Sequence, residues 1–381
     1  MDFAFDDDTE AYRQELRRWA PKVLAPHYQS DDKTAAFRPQ LALDMAGMGL
    51  TGLRVPEQYD GQEATAVVAG MAAEEVAQSD FNAAYIIIVI GLVSDIVVRN
   101  ASEEQRAAWL PPIAAGESIP CICITEPGHG TDAAGLELKA KPTPDGWSLH
   151  GEKTSITLGM DADRAVVLAR TGGPGARGVS AFWVDLDHDT VSRSGFDDLG
   201  SRAIGRASLH FDGTPVGRDR MIGQEGNGFV SVMQGFDYSR AIIGLACLGA
   251  ARASLDEATQ WARDREAFGQ PIGSFQGVSF PLAESATYLR GARHLCYEAL
   301  WRKDRGLEHS TEAAMAKFWA PKLAVEVIHQ CLLTLGHLGY SAESPVGQRL
   351  RDVIGLEIGD GTAQVSKLVI ARNLLGREFA P

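Results

Sequence analysis

The sequence contains few cysteines, and their spacing is not that of a metal site or a disulfide framework. Only five occur among 381 residues, at Cys121, Cys123, Cys247, Cys296 and Cys331. Five is an odd number, and no pair stands at zinc-type spacing with histidines nearby. We therefore expect five reduced, packed thiols and a cytoplasmic protein with no metal site.

Positive charge is also scarce. Lys and Arg number 36 against 50 Asp and Glu, which gives a formal net charge of −14. An acidic chain is poorly suited to the phosphate backbone of a nucleic acid or to an anionic membrane surface, so neither is expected as a partner. A small anionic ligand held in a local cationic pocket stays compatible with this balance.

Long apolar runs are missing as well. The most apolar stretch, residues 83–98, is too short to cross a bilayer and contains Asp95, so it predicts a buried helix rather than membrane insertion. The first eight residues are acidic and lack the features of a signal peptide.

The apolar pattern divides the chain into three parts. Helical spacing dominates up to residue 119, short β-type runs broken by Gly, Pro and Asp fill 120–225, and long helices return over 226–381. With 45% apolar and 23% charged residues, the composition is that of an ordinary globular protein. We predict a mainly α fold with an N-terminal helical domain (1–119), a small β-barrel or sandwich domain (120–225) and a C-terminal helical domain (226–381).

The same spacing predicts individual elements. N-terminal helices are expected over 9–28, 38–49, 63–79 and 83–99, with another starting at the capping box Ser102–Gln105. The clearest strands are 147–151, 165–170, 179–184 and 207–211. Later helices are expected over 229–263, 274–305, 310–335 and 349–354.

A carboxylate between two glycines, Gly359-Asp360-Gly361, precedes an apolar run at helical spacing. Glycine permits positive φ and close approach of another molecule, and Thr362 is suited to cap the helix that follows. A carboxylate displayed on such a turn is well placed to act as a base. An ordinary surface turn with an N-terminal Asp fits this stretch equally well.

Two loops carry hydroxyl groups after predicted strands, Thr125–Asp132 and Gly151–Thr157. Such loops offer backbone N–H groups and hydroxyls to a ligand, although a plain polar turn has the same composition. Gly128-x-Gly130 lacks the third glycine and the helix of a dinucleotide fingerprint. A further segment, Arg265–Gln276, lies between two helices, where Arg265 could be a simple helix C-terminal charge.

Taken together, these segments resemble the acyl-CoA dehydrogenase family of flavoproteins over nearly the whole chain. Thr125–Asp132 matches the Thr-Glu-Pro-x-x-Gly-[Ser/Thr]-Asp motif, and Gly151–Thr157 matches Gly-x-Lys-x-x-Ile-Thr. Arg265–Gln276 matches Arg-x-x-Phe-Gly-x-x-Ile-x-x-x-Gln, and Asp360–Gln364 matches the carboxylate-Gly-Thr-x-Gln turn. The family's layout, which ends in a four-helix bundle, agrees with the three parts above.

The resemblance implies FAD bound between the β domain and the C-terminal helices. Arg265, Phe268 and Gln276 match contacts to the FAD of a neighbouring subunit, which implies a homotetramer or a dimer. The full set of implied cofactor contacts is Ile122, Ile124, Thr125, Ser155, Thr157, Arg265, Phe268, Gln276, Thr362 and Gln364.

The resemblance also implies an acyl-CoA substrate. Positions that match contacts to the CoA moiety are Thr131, Asp237, Arg240 and Arg372, and those that match the acyl pocket are Tyr85, Ile88, Leu92, Gly359 and Gly361. Asp95 could be a second acid near the acyl group, but it lies two helical turns from Ile88, and this spacing favours a structural role.

The implied reaction is α,β-dehydrogenation, as in fatty acid or alicyclic acid metabolism. Asp360 would remove the α-proton while the β-hydride passes to flavin N5, and hydrogen bonds to the thioester carbonyl would stabilise the enolate. One such donor in the family is the backbone N–H of the catalytic carboxylate residue. An electron-transfer flavoprotein is the expected electron acceptor.

The chain departs from the family at several of these positions. The base is usually Glu, so Asp360 reaches roughly 1 Å less; Ser239 occupies the alternative base position used by some relatives and cannot serve. Gly359 replaces an aromatic residue and leaves width at the reacting carbons. These two changes predict a cyclic or α-branched acyl-CoA, such as cyclohexanecarboxyl-CoA.

Two alternatives stay open from the sequence. Ser155 replaces Trp or Phe against the flavin, and this could expose it to O₂, as in an acyl-CoA or nitroalkane oxidase on the same fold. The other alternative is a non-catalytic flavin-fold binding protein.

Overall fold

The computed structural model describes residues 4–379. Its N-terminal part consists of helices packed on one apolar core, and it contains α1 (Asp7–Val23), α2 (Ala25–Thr34), α3 (Gln40–Ala46), α4 (Ala66–Ala77), α5 (Phe81–Asn100) and α6 (Glu103–Ala114).

Two of these helices differ from the predicted ones. The single helix expected over 9–28 is wrong, because the chain breaks at Leu24 and restarts as α2 with Pro26 in its first turn, where a missing N–H costs nothing. The capping box at Ser102 is confirmed, and α6 continues through Pro111 and Pro112. It ends two residues later, so few backbone hydrogen bonds are lost to the prolines.

Helix α5 runs through the middle of the helical core. Its 20 residues make it longer than the predicted apolar stretch of 83–98, and by length and composition alone it could cross a membrane. However, 89% of its most apolar window is buried inside the protein, which is typical of the core helix of a globular domain. Asp80 caps its first turn by accepting hydrogen bonds from the N–H groups of Asn82 (2.8 Å) and Ala83 (3.1 Å).

The middle part is an eight-stranded sheet. It contains β1 (Pro120–Cys123), β2 (Lys139–Thr143), β3 (Gly146–Ile156), β4 (Arg164–Arg170), β5 (Val179–Asp185), β6 (Val191–Gly195), β7 (Ala207–Gly217) and β8 (Met221–Ile222). The strand order is β6-β7-β3-β2-β4-β5-β8, and β1 pairs in parallel with β4.

The four predicted strands lie within β3, β4, β5 and β7. Strands β2 and β6 were missed because most of their side chains are exposed, so neither shows an apolar alternation.

The last part is helical again, apart from one short hairpin. It contains α7 (Gly228–Met233), α8 (Phe236–Asp264), β9 (Glu266–Ala267), β10 (Gln270–Pro271), α9 (Gln276–Asp304), α10 (Ser310–Leu335), α11 (His337–Tyr340), α12 (Pro345–Ile354) and α13 (Ala363–Leu375). Helices α8, α9 and α10 pack against one another as the core of this domain.

The single helix predicted over 229–263 is wrong, because the chain breaks at Gly235. A Cβ at this position would lie only 2.8 Å from Leu92 Cδ1 on α5, so glycine allows the two elements to approach closely. The mainly α fold with a central β domain is confirmed. All five cysteines are free and buried, as predicted.

One buried carboxylate joins all three parts of the chain. Asp352 of α12, only 1% exposed, accepts a hydrogen bond from Tyr28 Oη of α2 (2.6 Å) and another from the backbone N–H of Ser201 in the β domain (2.6 Å). Burial raises the pKa of Asp352 to about 6. This interdomain contact fixes α12, and α12 leads directly into the turn that carries Asp360.

Candidate active site

The turn after α12 displays Asp360. A single 3₁₀ turn, Gly355–Glu357, follows the helix, and Asp360 and Gly361 then take φ values of 55° and 89°. The left-handed conformation therefore lies at Asp360 and Gly361 and not at Gly359; Asp is one of the few non-glycine residues that accept it readily. Thr362 caps α13 as predicted, since its hydroxyl accepts a hydrogen bond from Val365 N–H (3.3 Å).

A buried lysine lies beneath this turn. Lys317 of α10 is only 1% exposed, and its Nζ donates to the carbonyl oxygens of Leu356 (2.7 Å) and Gly361 (2.9 Å). Burial raises the pKa of Asp360, while the positive charges of Lys317 and Arg240 oppose that rise. Burial in turn lowers the pKa of Lys317, and the negative charge of Asp360 opposes this shift most. Lys317 was not predicted from the sequence.

Arg240 and Asp237 lie at the start of α8. Arg240 donates to Asp237 Oδ1 (2.7 Å), and Asp237 also accepts a hydrogen bond from Ser310 Oγ (2.5 Å). Arg240 is 8% exposed, and within residues 4–379 its Nε finds no hydrogen-bond partner. Its positive charge acts on Asp360, so Arg240 lies near the turn that carries this residue. Thr131 and Arg372, the other residues predicted to contact CoA, lie on exposed surface.

Tyr85 of α5 faces Asp360 from the opposite side. A Cβ on Gly359 would lie 3.6 Å from the Tyr85 hydroxyl, so this hydroxyl borders the space that Gly359 leaves open. Burial and then the charge of Asp360 raise the pKa of Tyr85, whereas the side chains of Thr157 and Arg206 oppose the shift. The hydroxyl therefore lies among Asp360, Thr157 and Arg206.

Ile88 and Leu92, also predicted to line the acyl pocket, follow Tyr85 along α5. Both are buried, at 1% and 2% exposed, and Leu92 lies against Gly235 just before α8. Tyr85, Ile88 and Leu92, the predicted acyl-pocket residues on α5, thus occupy successive turns of this helix.

The two hydroxyl loops of the β domain lie side by side. Lys153 of β3 is fully buried and donates to Glu126 Oε1 (2.8 Å) and to the carbonyl of Ile124 (2.9 Å). The N–H of Thr154 donates to the carbonyl of Thr125 (2.9 Å). A buried ion pair between two sequence motifs therefore fixes Thr125 and the strand that leads to Thr157. The motif positions of Glu126 and Lys153 were evident in the sequence, but their pairing was not.

Parts of these loops are open to solvent. Thr125, Thr157 and Ile122 are partly exposed, while Ile124 is 8% exposed behind them. Ser155 is exposed, with a φ of 59°, and a Cβ on Gly128 or Gly130 would meet no atom within 4 Å. Hydroxyls beside open backbone fit the polar edge of a flavin ring.

The Arg265–Gln276 segment lies on the surface of the chain. It forms the hairpin β9–β10, and Phe268 at its tip is 95% exposed, in contact only edge-on with Phe275 (ring centroids 6.1 Å apart). Arg265 and Gln276 are exposed beside it, as is Gln364 on the first turn of α13. A fully exposed aromatic side chain on a hairpin tip is typical of a surface that contacts a second molecule.

Asp95 has a structural environment. Its carboxylate pairs with Arg54 (3.0 Å), Arg99 (3.1 Å) and Lys303 (3.0 Å). Burial raises the pKa of Asp95, but the three cations together lower it below its ordinary value. The charge of Asp95 is thus matched by cations, which agrees with the structural role favoured by its spacing.

This arrangement defines a class. A central β domain with two adjacent hydroxyl-bearing loops, between two helical domains and with a carboxylate on the turn before α13, has the layout that the resemblance to the acyl-CoA dehydrogenase flavoproteins implies.

Comparison with known proteins identifies the family. The chain matches the acyl-CoA dehydrogenase N-terminal domain over residues 6–117, the middle domain over 121–214 and the C-terminal domain over 226–375. It is 34% identical to the mitochondrial short-chain specific acyl-CoA dehydrogenase of Homo sapiens, over 95% of this chain and 89% of that protein.

Solved structures agree. Butyryl-CoA dehydrogenase from Megasphaera elsdenii superimposes with a TM-score of 0.95 at 30% identity, over 98% of this chain and all of that one. A chain from work on the electron transferring flavoprotein of Acidaminococcus fermentans gives 0.95 at 31% identity with the same coverage. The chain belongs to the acyl-CoA dehydrogenase family: it is an FAD-dependent oxidoreductase that acts on acyl-CoA.

Proposed function

We propose that Asp360 is the base that removes the α-proton of an acyl-CoA thioester. The observation that carries the proposal is its position on a left-handed turn between α5, α8 and α10, where burial raises its pKa and two cations limit the rise. A carboxylate with a raised pKa is a stronger base than a solvated one. Ser239, at the alternative base position, is fully buried and donates to Phe236 O (3.1 Å).

The residues around this base prepare the site. Thr125 and Thr157 would hold the flavin ring beside β1 and β3, and Thr362 would lie next to it at the start of α13. When bound, FAD supplies the hydride acceptor. Helix α5, whose Tyr85 lies beside Gly359, would form the facing wall of the acyl site.

We further propose that the acyl group is cyclic or α-branched. Gly359 carries no side chain and Asp360 is one methylene shorter than Glu, so these two positions would leave more room beside the base than the larger residues would. Tyr85 takes up part of that room from the other side, with its hydroxyl 3.6 Å from where a Gly359 Cβ would lie. A straight chain would fill such a pocket poorly and would lose alignment with the base.

The substrate prediction is tested by comparing cyclohexanecarboxyl-CoA, isobutyryl-CoA, butyryl-CoA and octanoyl-CoA with an artificial acceptor. We expect the ring or branched thioester to have the highest kcat/KM, with the straight chains losing turnover and not only affinity. A straight-chain thioester better than both by tenfold, about 1.4 kcal/mol in transition-state binding, would refute the proposal. Butyryl-CoA is the critical competitor because two relatives are named for short chains.

A matched variant sharpens this test. Gly359 does not have a positive φ, and a Cβ there meets nothing closer than 3.5 Å, so Gly359→Phe restores an aromatic wall without backbone strain. It should reduce kcat/KM for the ring substrate more than for butyryl-CoA. An equal effect on both thioesters would mean that residue 359 does not set the width of the pocket.

For the electron acceptor we propose an electron-transfer flavoprotein; one structural neighbour comes from work on such a protein. The oxidase alternative rests on Ser155, which is exposed where relatives carry an aromatic ring. The same assays under air discriminate the two: stoichiometric peroxide would indicate an oxidase. Failure of every thioester to bleach the flavin would instead favour a binding protein.

We also propose a cytoplasmic location, which the five free, buried cysteines support.

We also propose a homotetramer or dimer in which the β9–β10 hairpin contacts the neighbouring subunit's FAD. The purified protein should be yellow, with about one FAD per chain. Phe268→Asp should lower both the flavin content and the oligomeric mass, because the ring is 95% exposed and contributes little to the fold of its own chain. Light scattering and flavin absorbance give both values in one run.

The control for this variant is Leu199→Asp, which changes a 64% exposed side chain in the β domain. It should change neither value. Normal flavin content and mass in Phe268→Asp would contradict the proposed contact, and a colourless parent protein whose thermal stability does not rise with added FAD would contradict the placement of the cofactor.

A further inference from the structure

We propose that Lys317 is a positioning residue that fixes the catalytic turn from below and supplies the positive charge that faces the Asp360 carboxylate. The inference rests on the proposed role of Asp360 as the base. Lys317 does not touch the substrate in this arrangement; it acts through the turn.

The geometry makes Lys317 a clamp on both flanks of the turn. Its ammonium group donates to Leu356 O, before Asp360, and to Gly361 O, directly after it. One side chain from α10 thus bridges the two ends of the segment 356–361, which lies between the end of α12 and the start of α13. Since buried carbonyls left without donors are costly, loss of the ammonium would let this loop move. A shift of about 1 Å in a catalytic group lowers rates strongly.

A neutral donor could satisfy the carbonyls of Leu356 and Gly361 equally well, so these hydrogen bonds do not by themselves require the positive charge of Lys317. A lysine that is 1% exposed pays a desolvation penalty for its charge. The negative charge of Asp360 is the largest influence that keeps it protonated; Glu357 contributes as well, and the positive charge of Arg240 opposes both. The Lys317 ammonium and the Asp360 carboxylate therefore each favour the charged form of the other.

Charged and titratable groups from three helices lie near Asp360. Lys317 comes from α10, Arg240 from α8 and the Tyr85 phenol from α5. Lys317 is the stronger of the two cations that keep the pKa of Asp360 down, while burial raises it. Without Lys317 the pKa of the base rises further, and the carboxylate is ionised only at higher pH.

Three variants separate the two effects. Lys317→Gln keeps a hydrogen-bond donor but removes the charge, and Lys317→Met removes both. Lys322→Met is the control, since Lys322 lies on the same helix with its charge exposed and paired to Glu326. The rate of flavin reduction in a single turnover is measured against pH for each loaded protein. A second measurement, independent of turnover, titrates the protonated carboxyl by pH-difference infrared spectroscopy with Asp360→Asn as the blank.

We expect the Asp360 pKa to rise by about one unit or more in both Lys317 variants, as for loss of a neighbouring opposite charge. Lys317→Met should also lose roughly tenfold to a hundredfold in its pH-independent rate with little change in KM, while Lys317→Gln keeps more of that rate. Lys322→Met should match the parent. Unchanged carboxyl titration and pH profile in Lys317→Gln would overturn the proposal, even if the variant is less stable; the same criterion decides if Lys317→Met does not fold.

Failure of the proposed base is recognised separately. If Asp360→Asn keeps near-full activity, then Asp360 is not the base. The infrared titration still reports whether Lys317 controls the carboxyl, so the two results are independent.

Discussion

Asp360→Asn is expected to lower the rate of flavin reduction by an acyl-CoA at least about 10²-fold while FAD stays bound. The amide has nearly the same size as the carboxylate but cannot accept the α-proton. Because the hydrogen bonds that hold the turn use no atom of the Asp360 side chain, and because Asn accepts a positive φ as Asp does, the backbone should keep its conformation. Anaerobic stopped-flow absorbance with the best thioester measures the rate, and flavin content is measured on the same sample.

Glu357→Gln is the control for this experiment. It removes a carboxylate three residues before Asp360 on the same segment, so it tests whether any loss of negative charge near Lys317 is enough. We expect a small effect. Activity near that of the parent in Asp360→Asn would exclude Asp360 as the base.

The pH dependence should follow from the same carboxylate. Burial raises the pKa of Asp360 above its ordinary value, and the base works only when ionised, so the rate should increase with pH through this raised pKa. The stability effect has the opposite sign: a carboxyl whose folded-state pKa is raised binds protons more tightly in the native state, so its ionisation destabilises the fold as pH rises. Asp360→Asn should therefore be slightly more stable than the parent above neutral pH.

Asp360→Glu asks a different question. If the pocket is built around the shorter residue, the additional methylene places the carboxylate about 1 Å too far into the substrate site, and the rate should fall. A rate above that of the parent would mean that the chain carries a weakened version of the usual family site.

Asp95→Asn is expected to destabilise the folded protein by about 3–5 kcal/mol, as for other buried ion pairs that lose one partner. The carboxylate is the counterion of Lys303 and Arg54, whose side chains are 6% and 17% exposed, and both cations also lie over the ring of Tyr238. The amide would leave two buried cations without their anion. Urea unfolding of the FAD-loaded protein at fixed concentration measures the loss.

The matched control is Asp256→Asn, which breaks the ion pair with Arg252 on the surface of α8. Both side chains there are more than half exposed, so a change under about 0.5 kcal/mol is expected. Similar losses in the two variants would mean that the Asp95 cluster contributes no more than a solvated pair.

Long periodic segments made much of the fold predictable from the sequence. Helix α10 begins and ends at the predicted residues, because 26 residues of helical spacing leave little choice. The break at Gly235 was missed because the close contact with Leu92, which leaves no room for a side chain there, comes from a residue more than 140 positions away in the chain. The strand β2 was missed because its exposed lysines hide any apolar alternation.

The candidate site was predictable only where a motif is local. Asp360 and Thr362 are adjacent, so turn and cap could be read together. Lys317 is 43 residues before Asp360 in an alanine-rich helix, and nothing in its own neighbourhood indicates a partner. The one local feature that suggests a buried lysine is that Lys317 stands among apolar residues on its helix. The pairing of Lys153 with Glu126 was hidden in the same way.

The contact made by Asp352 has a consequence for how the chain is synthesised. Tyr28 leaves the ribosome 324 residues before the carboxylate that it will bind, and Ser201 leaves it 151 residues before. The first helices and the sheet are therefore made without their common anchor, which can bind them only after Asp352 itself has been synthesised. The turn that carries Asp360 follows Asp352 in the chain, so it takes its final place later than the elements that it faces.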